Sequence, residues 1–200
     1  MPDILLDCYD QSVELLKANS SALGILASGR SGQALKRNYL SVFSRDASIC
    51  SFGMVASRDP ELAGTVRLSL ENLAKHQALN GQIPNFLKSR GQVDFWRIGC
   101  IDATLWWLLA VDFYARQVDK GFSARMKKPV RLALRWLLAQ EHPQDGLLVQ
   151  NEASDWADIM PRSGKVLYTN SLWAMVKAQY GLDRAALTKK SFNDLFFPYG

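Results

Sequence analysis

The feature that most constrains the fold is the segment from Ile101 to Val118, IDATLWWLLAVDFYARQV, the most hydrophobic stretch of the chain. Its apolar residues fall on nearly all sides of a helix, which predicts a buried helix rather than a surface helix. The uninterrupted apolar run from Leu105 to Val111 is far shorter than the ~20 residues that a membrane-spanning helix needs. The segment therefore predicts a helical domain in which other helices pack around this one.

Further helices are predicted from apolar residues at three- and four-residue spacings. Asp59 followed by Pro60 is a strong helix start, because Asp caps the first turn and Pro suits the first helical position. No run of alternating residues indicates a strand, so the chain is predicted to be all-α, with one domain over residues 1–200. The predicted helices span about 3–18, 45–57, 60–77, 101–118, 124–140, 168–180 and 184–190, and the loops include 20–44 and 81–99.

Charge and cysteine usage exclude several functional classes. The formal net charge is +5, but the basic residues are dispersed pairs without an accompanying zinc pattern or RNA-type aromatic motif, so nucleic acid is not an expected partner. Cys8, Cys50 and Cys100 are widely spaced, which suits a reducing compartment and predicts no metal cluster. With no signal peptide or membrane segment visible, a cytoplasmic protein without a metal or other cofactor is expected.

The stretch with the clearest chemical signal is residues 152–173, EASDWADIMPRSGKVLYTNSLW. Asp155 and Asp158 flank Trp156, and an aromatic neighbour gives a carboxyl group a drier setting that raises its pKa. A carboxyl group that keeps its proton beside a stacking ring is what acid catalysis on sugars needs. The alternative is that these aspartates cap the next helix.

Three aspartates are equally spaced along the chain. Asp46, Asp102 and Asp158 follow one another at intervals of 56 residues, and each is predicted to lie at or just before a helix start. A period of this length fits one helical hairpin with its loops, and such hairpins stack or close into a ring. In a ring, the acidic helix starts would converge on one pocket. Ordinary helix capping and chance spacing are the alternatives.

Four segments, taken in chain order, carry a resemblance to a known family. They are Tyr39–Asp46 (YLSVFSRD), Gly81–Asn85 (GQIPN), Ile101–Trp107 (IDATLWW) and Ser154–Arg162 (SDWADIMPR). The chain resembles the six-hairpin, (α/α)6-toroid glycosidases, and above all the bacterial glycogen-debranching (amylo-α-1,6-glucosidase)-like proteins. It is also similar to glucoamylase, trehalase and neutral invertase domains.

The resemblance implies a fold, a reaction and a set of site residues. It implies the N-terminal half of an (α/α)6 toroid, with six or seven of its twelve helices, and inverting hydrolysis of α-glucosidic bonds in glucans or oligosaccharides. Asp158 would be the general acid, since an Arg four residues later fits the trehalase-like register, and Asp155 is the alternative acid. The implied substrate-binding residues are Arg45, Asp46, Asp102, Trp106, Trp156, Arg162 and Asn170.

One departure from the family pattern leaves the function open. The family's general base comes from the C-terminal half of the toroid, which has no counterpart in these 200 residues. The alternative function is therefore a non-catalytic carbohydrate-binding or helical interaction module. The expected partner is an oligosaccharide or glucan, and neither nucleic acid nor a membrane is expected. The uncovered apolar seam of a half-toroid also predicts self-association.

Overall fold

A computed structural model describes residues 4–37, 39–88, 91–95, 100–157, 159–197 and 199, most of which are helical. The helices are α1 (Ile4–Ala18), α2 (Gly32–Lys36), α3 (Ser44–Ala56), α4 (Pro60–Lys75), α5 (Ile101–Gln117), α6 (Phe122–Arg125), α7 (Lys127–Leu138), α8 (Leu167–Tyr180) and α9 (Ala185–Phe196). The strands are β1 (Ser20–Ser21), β2 (Gly24–Ile25), β3 (Val42–Phe43), β4 (Phe86–Leu87) and β5 (Val93–Asp94).

The all-α prediction is wrong in one respect, because both predicted loops contain short strands. Strands β1 and β2 form an antiparallel hairpin, and β3, β4 and β5 form an antiparallel sheet in that order. In the sheet, Phe86 pairs with Phe43 on one side and with Asp94 on the other. Each strand is only two residues long, so no alternating pattern could develop in the sequence.

The prediction of a buried central helix is confirmed by α5. It contacts α3, α4, α6, α7 and α8, and Trp107 and Leu108 are fully buried. Trp107 Nε1 donates to the Leu70 carbonyl on α4 at 3.1 Å, so the indole nitrogen has a partner inside the core. No helix in the described part of the chain is long and apolar enough to cross a membrane.

The longer helices from α3 onwards form three successive pairs, and α5, a member of the second pair, lies at their centre. Helix α3 is followed by α4, α5 by the short α6 and α7, and α8 by α9, and the members of each pair contact one another. Helices α3 and α8 both pack against α5. The start of α4 is as predicted, since the Asp59 carboxylate accepts from the backbone N–H groups of Glu61 and Leu62.

Two predicted helices differ from the structure in extent, and one further helix, α2, lies inside the predicted loop 20–44. The helix predicted over 124–140 is divided into α6 and α7, and the short segment predicted at 184–190 is the longer α9. Helix α8 begins at Leu167, nine residues after position 158, so the predicted coincidence of an aspartate with each helix start fails there. Asp158 itself lies outside the described residues.

A buried ion pair ties α8 to the segment before it and to α9. Lys177 is completely buried, and its Nζ donates to Glu141 Oε1 at 2.5 Å and to Thr188 Oγ1 at 3.0 Å. Trp173 Nε1 donates to the same Glu141 oxygen at 2.9 Å. A Cβ at Gly146 would lie 2.7 Å from Thr188 Oγ1, so glycine permits the close approach of this segment to α9.

Candidate functional site

The first turns of α3, α5 and α8 meet in a polar cluster. Arg45, Asp102 and Tyr168 are each the second residue of their helix. Asp102 Oδ2 accepts from Arg45 Nε at 2.7 Å and from the Tyr168 hydroxyl at 3.0 Å. Trp106 Nε1, one turn further along α5, donates to the Tyr168 hydroxyl at 2.8 Å. Three helix starts therefore converge, but the residues that meet are an arginine, an aspartate and a tyrosine.

Electrostatics favour the charged form of Arg45 and the neutral form of Tyr168. Burial alone would lower the pKa of Arg45, but the hydrogen bond and negative charge of Asp102 outweigh burial and raise it. Burial raises the pKa of Tyr168, and the neighbouring charge of Asp102 raises it further. Tyr168 therefore stays neutral, donating to the Asp102 carboxylate while accepting from Trp106.

Asp46 follows Arg45 in α3, but its side chain lies beside a separate cavity and not in the polar cluster. It lines a cavity of about 400 Å³ between α1 and α3, together with Asn19 and Cys50. Adjacent helix positions are about 100° apart, which explains why Arg45 and Asp46 meet different neighbours. Burial raises the pKa of the Asp46 carboxyl, although the charge of Arg45 opposes the shift. Asp46 is thus a predicted site residue whose surroundings favour the protonated form.

Asp155 accepts four hydrogen bonds from three residues of the loop that follows α7. Arg162 donates from Nη2 to Oδ1 at 2.8 Å and from Nε to Oδ2 at 3.1 Å, Gln150 Nε2 donates at 2.8 Å and the Ala157 N–H at 2.9 Å. Burial would raise the pKa of Asp155, but these bonds together lower it. An ionised carboxylate of this kind cannot donate a proton, and Asp155 does not cap α8, which begins at Leu167.

Trp156 offers an aromatic surface next to this ion pair. Its side chain is 57% exposed, and the Arg162 guanidinium lies over the ring, 5.4 Å from the centroid. Arg162 therefore connects the buried carboxylate of Asp155 to the exposed ring of Trp156. Aromatic rings exposed in this way are suited to stacking on the apolar face of a sugar.

The loop and the polar cluster are neighbours in the structure. The Ile101 N–H, at the start of α5, donates to the Ser154 carbonyl at 2.6 Å. Asp102 follows Ile101, and Asp155 follows Ser154, so one backbone hydrogen bond joins the segments that carry both carboxylates. The structure thus brings together the predicted residues of the loop and of α5.

Asn170 was expected to bind substrate, but its side chain lies in the interior, away from any surface that a substrate could reach. It is completely buried on α8, where its Oδ1 accepts from the Leu148 N–H at 2.7 Å. Its Nδ2 donates to the carbonyls of Leu148 at 3.0 Å and Val166 at 3.1 Å. Because both ends of the amide are occupied by backbone groups, Asn170 fixes the segment around Leu148 against α8.

Sequence reasoning missed two members of the site. Tyr168 accepts from Trp106 and donates to Asp102, and Gln150 bridges Asp155 to α8 through a hydrogen bond from the Thr169 hydroxyl. Tyr168 could have been found by comparing the second residue of each helix, instead of comparing aspartates. Nothing in the sequence around Gln150 distinguishes it from a surface glutamine.

The described residues contain no group of three or more His, Cys, Asp or Glu side chains arranged to hold a metal ion. What they offer is charged hydrogen-bonding groups and exposed aromatic area at one end of three helices. Among known proteins, neither a family model nor a curated sequence matches the chain.

Proposed function

We propose that this chain is a glycoside hydrolase-like domain that binds an oligosaccharide or glucan at the first turns of α3, α5 and α8. The observation that carries the proposal is the convergence of Arg45, Asp102, Tyr168 and Trp106 from three helices. Charged groups make strong hydrogen bonds to hydroxyls, and aromatic rings cover the C–H faces of a sugar. The combination is typical of sites that recognise carbohydrates.

The proposed architecture is the N-terminal half of an (α/α)6 toroid. Three successive helix pairs packed about α5 support it, since each pair corresponds to one hairpin of such a ring. The reaction proposed for the complete toroid is inverting hydrolysis of α-glucosidic bonds. That reaction needs an acid and a base, with carboxyl groups roughly 6.5–9.5 Å apart. By the family resemblance, the base would come from later hairpins.

Asp158 is the proposed general acid. Asp155 is disfavoured in that role because Arg162 keeps it ionised, and Asp102 is bonded to Arg45. The role proposed for Asp155 is to hold Arg162 and, through it, Trp156. The family resemblance gives the role of proton donor to Asp158, three residues later in the sequence.

A second candidate function is carbohydrate binding without hydrolysis. The observation that favours it is that the two most buried carboxylates of the site, Asp102 and Asp155, are both paired with arginines. Such pairs provide fixed hydrogen-bonding groups but no mobile proton. A protein with this site could bind glucans and not cleave them.

Isothermal titration of the chain with maltoheptaose and with glycogen tests the proposed function. We expect saturable binding, and Trp156→Ala should weaken it by roughly three- to tenfold, because stacking contributes ~0.5–1.5 kcal/mol beyond buried area. Tyr199→Ala, which removes another exposed aromatic ring, is the matched control and should have no effect. Absence of glucan binding by the wild-type chain would contradict both candidate functions. Binding without product release by these 200 residues fits both candidate functions, because the proposed general base would come from later hairpins.

A further inference from the structure

A groove lies on the outer side of the protein between α5, α7 and α8. Its volume is about 460 Å³, and apolar side chains form most of its surface. Val130, Leu134 and Leu138 of α7 form one wall, each about one turn from the next. Tyr180 and Leu182, from the end of α8 and the residues after it, also line the groove. This surface is called the α7 groove below, and its length along α7 suits an elongated apolar occupant.

The rim of the α7 groove is basic. Lys127, Arg131 and Arg135 follow one another at four-residue intervals beside the apolar wall, and all three are exposed. None of these three side chains has a hydrogen-bond or ion-pair partner in the described part of the chain. Among the described residues that line the groove, the one carboxylate is that of Asp112, which is paired with Arg116 at 2.6 Å and bonded to Gln179. An occupant that complements this rim would therefore carry negative charges at intervals along its own length.

Helix α1 has the matching character. Residues 4–12 are all exposed, and among them Ile4 is 73%, Leu6 62% and Tyr9 51% exposed. The acidic residues of this helix are Asp7, Asp10 and Glu14, all of them exposed. Since each residue turns a helix by about 100°, Leu6 and Tyr9 lie on one side of this exposed half, and Asp7 and Asp10 lie on the neighbouring side. The first half of α1 thus presents an apolar side with an acidic side next to it.

The second half of α1 fixes this surface in place. Val13 and Leu16 pack against the hydrophobic core, and Lys17 is paired with Asp59 at 2.8 Å. The second half of the helix is therefore anchored to its own chain while the first half is exposed. A helix held in this way is already ordered when it meets a partner, which lowers the entropic cost of association.

We propose that α1 of one copy of this chain docks into the α7 groove of a second copy. Apolar residues of α1 would pack against the apolar wall, and the carboxylates of α1 would face Lys127, Arg131 and Arg135. Residues 4–12 and Lys127–Arg135 each span about 12 Å at 1.5 Å per residue, so the two surfaces agree in length. Because every copy carries both surfaces, two copies can exchange helices reciprocally and close a dimer. This contact does not involve the surface of α8 and α9 around Met175, called the α8–α9 seam, where the proposed half-toroid would be open. It does not depend on glucan binding.

Sedimentation velocity over about 1–100 µM protein tests the proposal, a range in which weak dimers dissociate. We expect the average mass to rise from 22.4 kDa towards twice that value. R131E/R135E and D7K/E14K should each weaken dimerisation at least about tenfold, since like charges would then meet across the contact. An equimolar mixture of the two variants should dimerise again, because both exchanged contacts regain opposite charges.

The control variant for R131E/R135E is K75E/K128E, which makes the same change in net charge at two exposed lysines outside the groove. It should dimerise like the wild type. A wild-type chain that stays monomeric, or a mixture that does not recover, would overturn the proposal. Loss of dimers in Met175→Glu but not in R131E/R135E would assign the interface to the α8–α9 seam instead. A monomer that binds laurate through Arg131 and Arg135 would assign the groove to an anionic amphiphile, which also overturns it.

Discussion

Arg45 and Asp102 are 57 residues apart in the chain, yet they form the ion pair at the centre of the proposed sugar site. The Asp102 side chain is fully buried and that of Arg45 is 19% exposed. The pair joins the first turns of α3 and α5, and its geometry depends on the packing of both helices. The same bond therefore supports the fold and positions the hydrogen-bonding groups of the site.

Asp102→Asn should destabilise the protein by about 2–4 kcal/mol, because it leaves the mostly buried Arg45 without its counter-ion. The measurement is the free energy of unfolding in urea. Arg116→Gln, which breaks the exposed pair with Asp112, is the control and should cost less than about 1 kcal/mol. Equal losses in the two variants would mean that the buried pair adds no more than an exposed one.

Lys177→Met should be among the most destabilising single changes, at about 3–5 kcal/mol, because Glu141 would remain as an unpaired buried carboxylate. Adding Glu141→Gln to this variant should recover part of the loss, since the uncompensated charge is then removed. Thermal unfolding of the wild type, the single variant and the double variant measures the coupling. If the double variant is no more stable than Lys177→Met, the charge is not the cause.

Asp46→Asn should alter the pH dependence of stability. Burial raises the pKa of Asp46 in the folded state above that of the unfolded chain, ~3.9. The favourable contribution of the protonated group is therefore complete below the unfolded pKa and is lost as pH rises through the folded pKa. The unfolding free energy of Asp46→Asn relative to wild type should consequently rise above about pH 4 and then level off.

Urea unfolding at a series of pH values measures this difference. Glu61→Gln, which removes an exposed carboxylate from the first turn of α4, is the control for the general effect of losing a negative charge near a helix start. A stability difference for Asp46→Asn that is flat with pH, or that falls as pH rises, would contradict the burial of this carboxyl group.

Asp158→Asn should lower the turnover of glucans by about 10²–10⁴-fold in a catalytically active form of the protein, because the variant cannot act as a general acid. Glucan binding should persist. Hydrolysis of α-glucosyl fluoride should fall much less, since fluoride leaves without being protonated. Kinetics on the two substrates separate proton donation from binding.

Asp155→Asn is the comparison for Asp158→Asn. Because Asp155 is held by Arg162, its loss should reduce the rates on both substrates by a similar factor, through displacement of Arg162 and Trp156. If Asp155→Asn is the variant that spares only the fluoride, the acid is Asp155. A loss of only a few-fold in both variants would mean that the loop has no catalytic carboxylate.

The sequence by itself determined the elements that depend on neighbouring residues. The start of α4 is set by Asp59 and Pro60, whose capping geometry needs only the next three residues. The burial of α5 follows from its own apolar surface, because a helix that is apolar on nearly all sides has no face for water. The equal spacing of Asp46, Asp102 and Asp158 also predicted helical hairpins, although only the first two of these aspartates lie in the first turn of a helix.

Only the tertiary structure decided which polar side chains became partners. Tyr168 joined the site while Asn170, two residues away, was occupied by backbone groups of the segment around Leu148. Lys177 became buried because Glu141 and Thr188 approach it from two other segments. The two-residue strands likewise exist only through their pairing. A charged or polar group enters a protein interior only where distant residues supply its hydrogen bonds, and local sequence patterns do not specify those distant residues.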